Sequence, residues 1–190
     1  MPRPQSLSIH TALLTAAGQL FYERGIGTTG VEAIADAAGV GKPALYRHFH
    51  SKQGLLDATL AKRDADRRQS LHDLLSSAPR SPTERLQVAI DWQLAWVGDP
   101  RFRGCGFVRA AAELDAGGKA AATHAHAHKT WYRTELEELA SAAGAIDPAQ
   151  LATRLALVTE GATTLGFLGD RDLIINEARS LAQQLIHQAV

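Results

Sequence analysis

Apolar positions recur along almost the whole chain at spacings of three and four, the signature of helices with one buried face. Ile9, Leu13, Ala16, Ala17, Leu20 and Phe21 mark a first helix, which Gly25 and Gly27 stop. Thr29 and Glu32 form a T-x-x-E pattern that predicts a capping box opening a short helix from Gly30 to Ala38, followed by Gly39 in a left-handed terminal conformation. A third helix is expected from Lys42 to Phe49, with Pro43 tolerated in its first turn. Ser51 can cap a fourth that runs to about Leu75, and Ser81-Pro82-Thr83-Glu84 reads as a capping box before Leu86, Ile90, Leu94 and Val97. Asp99-Pro100 ends that helix, and Phe107–Leu114 and Ala120–Ala143 read as two more. Asp147 caps the series Leu151, Leu155, Val158, Ala162 and Leu165, and a last helix covers about Asp172 to Ala189. No β-branched alternation longer than four residues occurs, so the expected fold is all-α with about nine helices.

The composition is that of a globular chain: 190 residues, 45% hydrophobic and 21% charged, enough for one compact domain or a small module fused to a larger body. Twenty basic residues balance twenty acidic ones, so bulk charge gives no affinity for nucleic acid and any such site must be a local patch. The single cysteine, Cys105, fits a reducing compartment; with no signal-peptide block and no membrane-length apolar run, a cytoplasmic location is expected.

A local patch is present. Val31–Ala38, the turn Gly39-Val40-Gly41 and Lys42–Phe49 have helix-turn-helix spacing, in which the second helix enters the major groove of duplex DNA. From Ala37 to Leu56 there is no acidic residue, while Lys42, Arg47 and Lys52 are basic and His48 and His50 can become so. A solvated face is the bland explanation of such a strip; its coincidence with the turn geometry favours a DNA-reading module over residues 1–51, ahead of a larger helical body over 52–190.

Thr29-Gly30-Val31-Glu32-Ala33-Ile34-Ala35, Ala38-Gly39-Val40-Gly41-Lys42-Pro43-Ala44-Leu45-Tyr46-Arg47-His48-Phe49 and Ser51-Lys52 together resemble the N-terminal signature of TetR-family transcriptional regulators. The resemblance covers roughly residues 9 to 60. It implies that Tyr46, His48 and Lys52 grip phosphates, that Thr29 presents a neighbouring N–H to a phosphate, and that Lys42, Pro43 and Ala44 face base edges. Lys42 would then donate to guanine O6 or N7, and Pro43 and Ala44 would offer apolar contact. Gly41 and Ala44 stand where many members carry hydroxyl residues, so operator preference does not transfer. Arg103-Gly104-Cys105-Gly106-Phe107 and Ala110-Ala111-Ala112-Glu113 resemble a segment of many regulatory domains.

The resemblance also implies an apolar effector cavity and a two-fold dimer in the body. Trp92, Trp96, Phe107, Ala111 and Trp131 are candidates to line the cavity, against the plainer reading of a packed aromatic core. Glu113 and Cys105 are candidate polar anchors in it, or else a cap, a surface group or a small filler. Leu155, Val158, Ala162, Leu165, Leu181 and Leu185 are candidates for the dimer contact. His124 and His128 share a helix face, but two ligands are an incomplete zinc site; no metal or other cofactor is expected, and a hydrogen-bonded histidine face is the default. No nucleophile elbow, phosphate-binding glycine loop or zinc-protease motif is present, so an enzyme is not expected. The reading is a homodimeric repressor, released from a palindromic operator by a small apolar effector. Its alternatives are a metal-responsive sensor using His124 and His128, and a helical ligand-binding protein without DNA function.

Overall fold

The computed structural model describes residues 4–77, 81–113 and 119–190, with side chains from Ser8 onward. Nine helices and no strand are found among the described residues: α1 (Pro4–Arg24), α2 (Val31–Ala37), α3 (Lys42–Phe49), α4 (Lys52–Ser76), α5 (Pro82–Gly98), α6 (Gly106–Glu113), α7 (Lys119–Ala142), α8 (Pro148–Leu168) and α9 (Arg171–Ala189). The expected all-α fold is therefore correct. The Leu114 end anticipated for the sixth helix lies outside the described residues.

The helix ends have local causes. Ser81 Oγ accepts from Glu84 N–H while the Glu84 carboxylate accepts from Ser81 N–H, which is the anticipated capping box. Asp147 and Asp170 each accept from the backbone N–H three residues on, opening α8 and α9, and Ser51 Oγ accepts from Gly54 N–H at the start of α4. Gly39 takes φ +67 beyond α2, as the sequence suggests. Thr29 is a correction. The N-cap of α2 is Gly30, without a side-chain cap, and the Thr29 hydroxyl donates backwards to the Gly25 and Leu20 carbonyls at 2.6 and 3.3 Å.

The helices group into two compact units. One holds α1, α2, α3, α4 as far as Asp66, all of α6 and α7 as far as Ala125. Leu13, Ile34, Leu45 and Leu55 are fully buried in it, and each such burial contributes about 1.5–3 kcal/mol. This unit thus takes in more than residues 1–51, for a reason visible in the hydrogen bonds of α6 described below. The other unit holds α4 from Arg67, α5, α7 from His126, α8 and α9. Its core runs through Leu71, Leu86, Ile90, Leu94, Leu136 and Leu155, each at 0% exposure. A close approach marks Gly166 of α8, where a Cβ would fall 2.5 Å from Val97 Cγ1. No helix among the described residues is long and apolar enough to cross a membrane.

Candidate nucleic-acid interface

Helix α3 is two-faced. Ala44, Leu45 and Phe49 are buried against the rest of the module, whereas Lys42, Pro43, Tyr46 and Arg47 are exposed and His48 is half-buried. Tyr46 is 42% exposed, its ring and hydroxyl turned to solvent. The exposed face carries the basic groups and no acidic one. Its chemistry, cations and a phenol with no opposing carboxylate on the same helix, suits a polyanion.

The anticipated contact residues do not all stand alike. Lys42 Nζ lies 3.0 Å from Glu32 Oε1 of α2, and the Glu32 hydrogen bond and charge raise the Lys42 pKa. Ala44 is 6% exposed, so its methyl is taken up by the module core and is not turned out towards bases. Thr29 is 2% exposed with its hydroxyl spent on carbonyls, so any part it has in phosphate binding belongs to the backbone beside it. Lys52 is half-buried and its Nζ donates to the Ile26 carbonyl at 2.5 Å. Pro43, Tyr46 and Arg47 are exposed on α3, and His48 is half-buried beside them.

One neighbour of this face has no sequence signal. His10 of α1 stacks on Phe49 with ring centroids 4.7 Å apart and meets His48 edge-on at 5.9 Å. Two imidazoles therefore meet next to the buried Phe49 ring, His10 stacked on it and His48 tilted at 6.3 Å. Helical spacing within α1 marks position 10 only as a flank of the core stripe, and nothing in it points to position 48.

The five expected cavity residues are divided between the two units. In the second unit Trp92 and Trp131 meet edge-on at 6.3 Å, Tyr132 packs beside both, and Trp96 meets Phe102 at 5.9 Å. Phe107 and Ala111 lie on α6 in the first unit. The Arg67 guanidinium stands 3.5 Å over the Trp92 ring and donates to Gln93 Oε1, and Gln93 in turn donates to Thr163 Oγ1. Burial pushes the Tyr132 phenol up, and its hydroxyl donates to the Ala89 carbonyl. The Glu113 carboxylate accepts from backbone N–H groups of the α1–α2 loop. His128 is buried, 5.5 Å from the Trp131 ring, and no group of three or more metal-ligating side chains is found among the described residues.

The family model for the bacterial regulatory proteins of the tetR family matches residues 13–59. Over 50 residues the chain is 50% identical to the transcriptional activator FasR of Mycolicibacterium smegmatis, a match covering 26% of this chain and 23% of that protein. The transcriptional repressor KstR2 of Rhodococcus jostii is also 50% identical over 50 residues, 24% of its length. The chain thus spans about a quarter of these curated relatives. Solved structures match throughout. A TetR-family regulator from Streptomyces coelicolor superposes with TM-score 0.89 at 26% identity, over 96% of both chains. A TetR transcriptional regulator from Streptomyces avermitilis does so with TM-score 0.80 at 32% identity, over 95% of this chain and 97% of that one. With the helix-turn-helix geometry, the family-model match and a 32% identical relative matched over 97% of its length, this chain belongs to the TetR family of bacterial regulatory proteins.

Proposed function

We propose that the protein is a cytoplasmic transcriptional regulator that binds duplex DNA through the outer face of α3. The observation that carries this reading is the exposure of Lys42, Pro43, Tyr46 and Arg47 on a helix whose other face is buried, within a stretch free of acidic residues. Lys42 and Pro43 reach base edges at the start of the helix, while Tyr46, Arg47 and His48 hold phosphates. Selection of duplexes from a random pool, followed by a gel shift on the DNA flanking its own gene, tests it. Failure to retain any duplex above the non-specific level sinks the reading.

The regulator works as a homodimer on a palindromic site, since one recognition helix reads only a few base pairs and two-fold partners ~34 Å apart read two half-sites. Support comes from α8 and α9, where Leu157, Leu165, Leu173 and Leu181 are 68, 52, 54 and 47% exposed. Of the residues anticipated for this contact, Leu165 and Leu181 lie on that open surface and Val158 and Leu185 are half-buried, whereas Leu155 and Ala162 are buried within the protomer.

We further propose repression relieved by a small, largely apolar effector, with the aromatic cluster around Trp92 and Trp131 as its wall and Arg67, Gln93 and Thr163 as polar groups that orient it. Calorimetric titration of candidate effectors with and without operator tests the switch: release requires weaker effector binding on DNA, by the same factor as the effector weakens DNA binding.

A further inference from the structure

The loop between α1 and α2 is completed by side chains from outside the three-helix module. Gly25 turns the chain with φ +93, and Ile26 follows, 6% exposed. The peptide groups of Ile26 are held from both directions. Glu113, the last residue of α6, accepts through Oε2 from Ile26 N–H at 2.5 Å and from Gly27 N–H at 3.3 Å. Lys52, the first residue of α4, donates to the Ile26 carbonyl. One turn earlier on α6, Arg109 donates to the Tyr22 carbonyl at 2.9 Å, and its guanidinium lies 5.8 Å from the Tyr22 ring, which Arg63 of α4 approaches to 4.4 Å.

Each of these contacts meets a need of the module. Tyr22 lies in the last turn of α1, where carbonyls lack helical partners and the helix dipole favours a cation, and Arg109 supplies both the donor and the charge. The Ile26 and Gly27 N–H groups lie outside any helix, and Glu113 supplies one acceptor for both. The Arg109 and Glu113 charges are 3.9 Å apart on successive turns.

We propose that Arg109 and Glu113 are positioning residues for DNA binding: they hold the α1–α2 loop, and the α2–α3 pair it leads into, in the DNA-competent arrangement. This rests on the reading of α3 as the groove-entering helix. Neither residue touches DNA, so the effect appears as lost affinity without a lost phosphate contact. Gly25 is part of the device, because a Cβ there would lie 3.1 Å from Glu113 Oε2 as well as imposing a strained φ.

The test compares full-length Glu113→Ala and Glu113→Gln with the unaltered protein. Amide hydrogen exchange in the free protein reports the loop directly. In Glu113→Ala, exchange at Ile26 and Gly27 should accelerate about tenfold or more, with amides of α8 and α9 unchanged. On a duplex that the unaltered protein selects from a random pool, Glu113→Ala should bind about tenfold more weakly with the same salt slope, and Glu113→Gln, which keeps an acceptor oxygen, should recover most of the affinity. Faster exchange with unchanged affinity would overturn the proposal. So would equal losses in both variants with exchange rising throughout the chain, the mark of general destabilisation. If the unaltered protein selects no duplex, the regulator reading falls and the DNA-positioning role with it, while the exchange result still reports whether Glu113 holds the loop.

Discussion

Lys42, at the first position of the recognition helix, is held by Glu32 of the preceding helix, Nζ to Oε1 at 3.0 Å. In the proposed complex a base edge competes with this carboxylate for the ammonium. Both groups are largely exposed, so the pair is weak in water and is readily exchanged. Glu32→Gln removes the competitor and an acid beside the groove, and should tighten binding to the selected duplex about two- to tenfold, read by fluorescence anisotropy. Unchanged affinity would show that the pair opens at no cost.

Lys42 and Arg47 should fail differently when truncated. Lys42→Ala is expected to relax preference at one base position by about ten- to a hundredfold while leaving the others intact. Arg47→Ala should weaken all sequences alike and reduce the slope of log K against log salt by about one. Selected-sequence profiles and salt titrations of the two variants separate a base reader from a phosphate contact.

Two leucines two positions apart on α8 make a similar contrast for assembly. Leu155 is at 0% exposure and Leu157 at 68%. Leu155→Ala should destabilise the fold by about 2–5 kcal/mol in urea melts through the cavity it leaves. Leu157→Glu should leave a folded chain whose sedimentation shifts from dimer to monomer at micromolar concentration. If Leu157→Glu remains a dimer, the α8–α9 surface is not the subunit contact.

Acid stability should depend on Asp99 in a defined window. Its carboxylate accepts from the Arg101 side chain at 3.0 and 2.8 Å and from Arg101 N–H at 2.7 Å, which holds its pKa down at about 2. A lowered folded-state pKa contributes stability above the ordinary carboxylate range, lost as pH falls through about 2. Asp99→Asn should therefore melt below the unaltered protein at pH 6, with the difference closing between about pH 4 and 2. Glu135 has the opposite sign, because burial, with Glu138 adding to it, raises its pKa. Its ionisation costs stability as pH rises through the raised value, so Glu135→Gln should be slightly more stable at pH 7, by less than about 1 kcal/mol for a partly exposed group.

The sequence made most element boundaries readable because caps are local: Ser81 with Glu84, and Asp147 with Gln150, satisfy donors within one turn of themselves. The two faces of α3 were legible for the same reason, since Leu45 and Phe49 repeat at helical spacing. Thr29 misled because the T-x-x-E pattern fits, but the left-handed turn at Gly25 brings carbonyls of the preceding segment nearer to its hydroxyl than the N–H groups ahead. Ala44 misled because a small side chain next to Leu45 fits inside the buried arc. Glu113 and His10 were out of reach. Their partners lie 87 and 38 to 39 positions away, and no periodicity links a carboxylate at the end of one helix to the amides of a distant loop.

That distance bears on how such regulators are cut and joined. If Glu113 holds the loop as proposed, the N-terminal head does not carry all of its own contacts, because one of them comes from 87 positions downstream. A chimera joined near residue 51 would give the head a foreign α6, and the Ile26 and Gly27 amides would depend on whatever side chain then stood in place of Glu113. Grafts that carry residues 106–113 along with the head, or that rebuild the arginine and glutamate four positions apart in the recipient, should keep their DNA affinity where a simple splice weakens it.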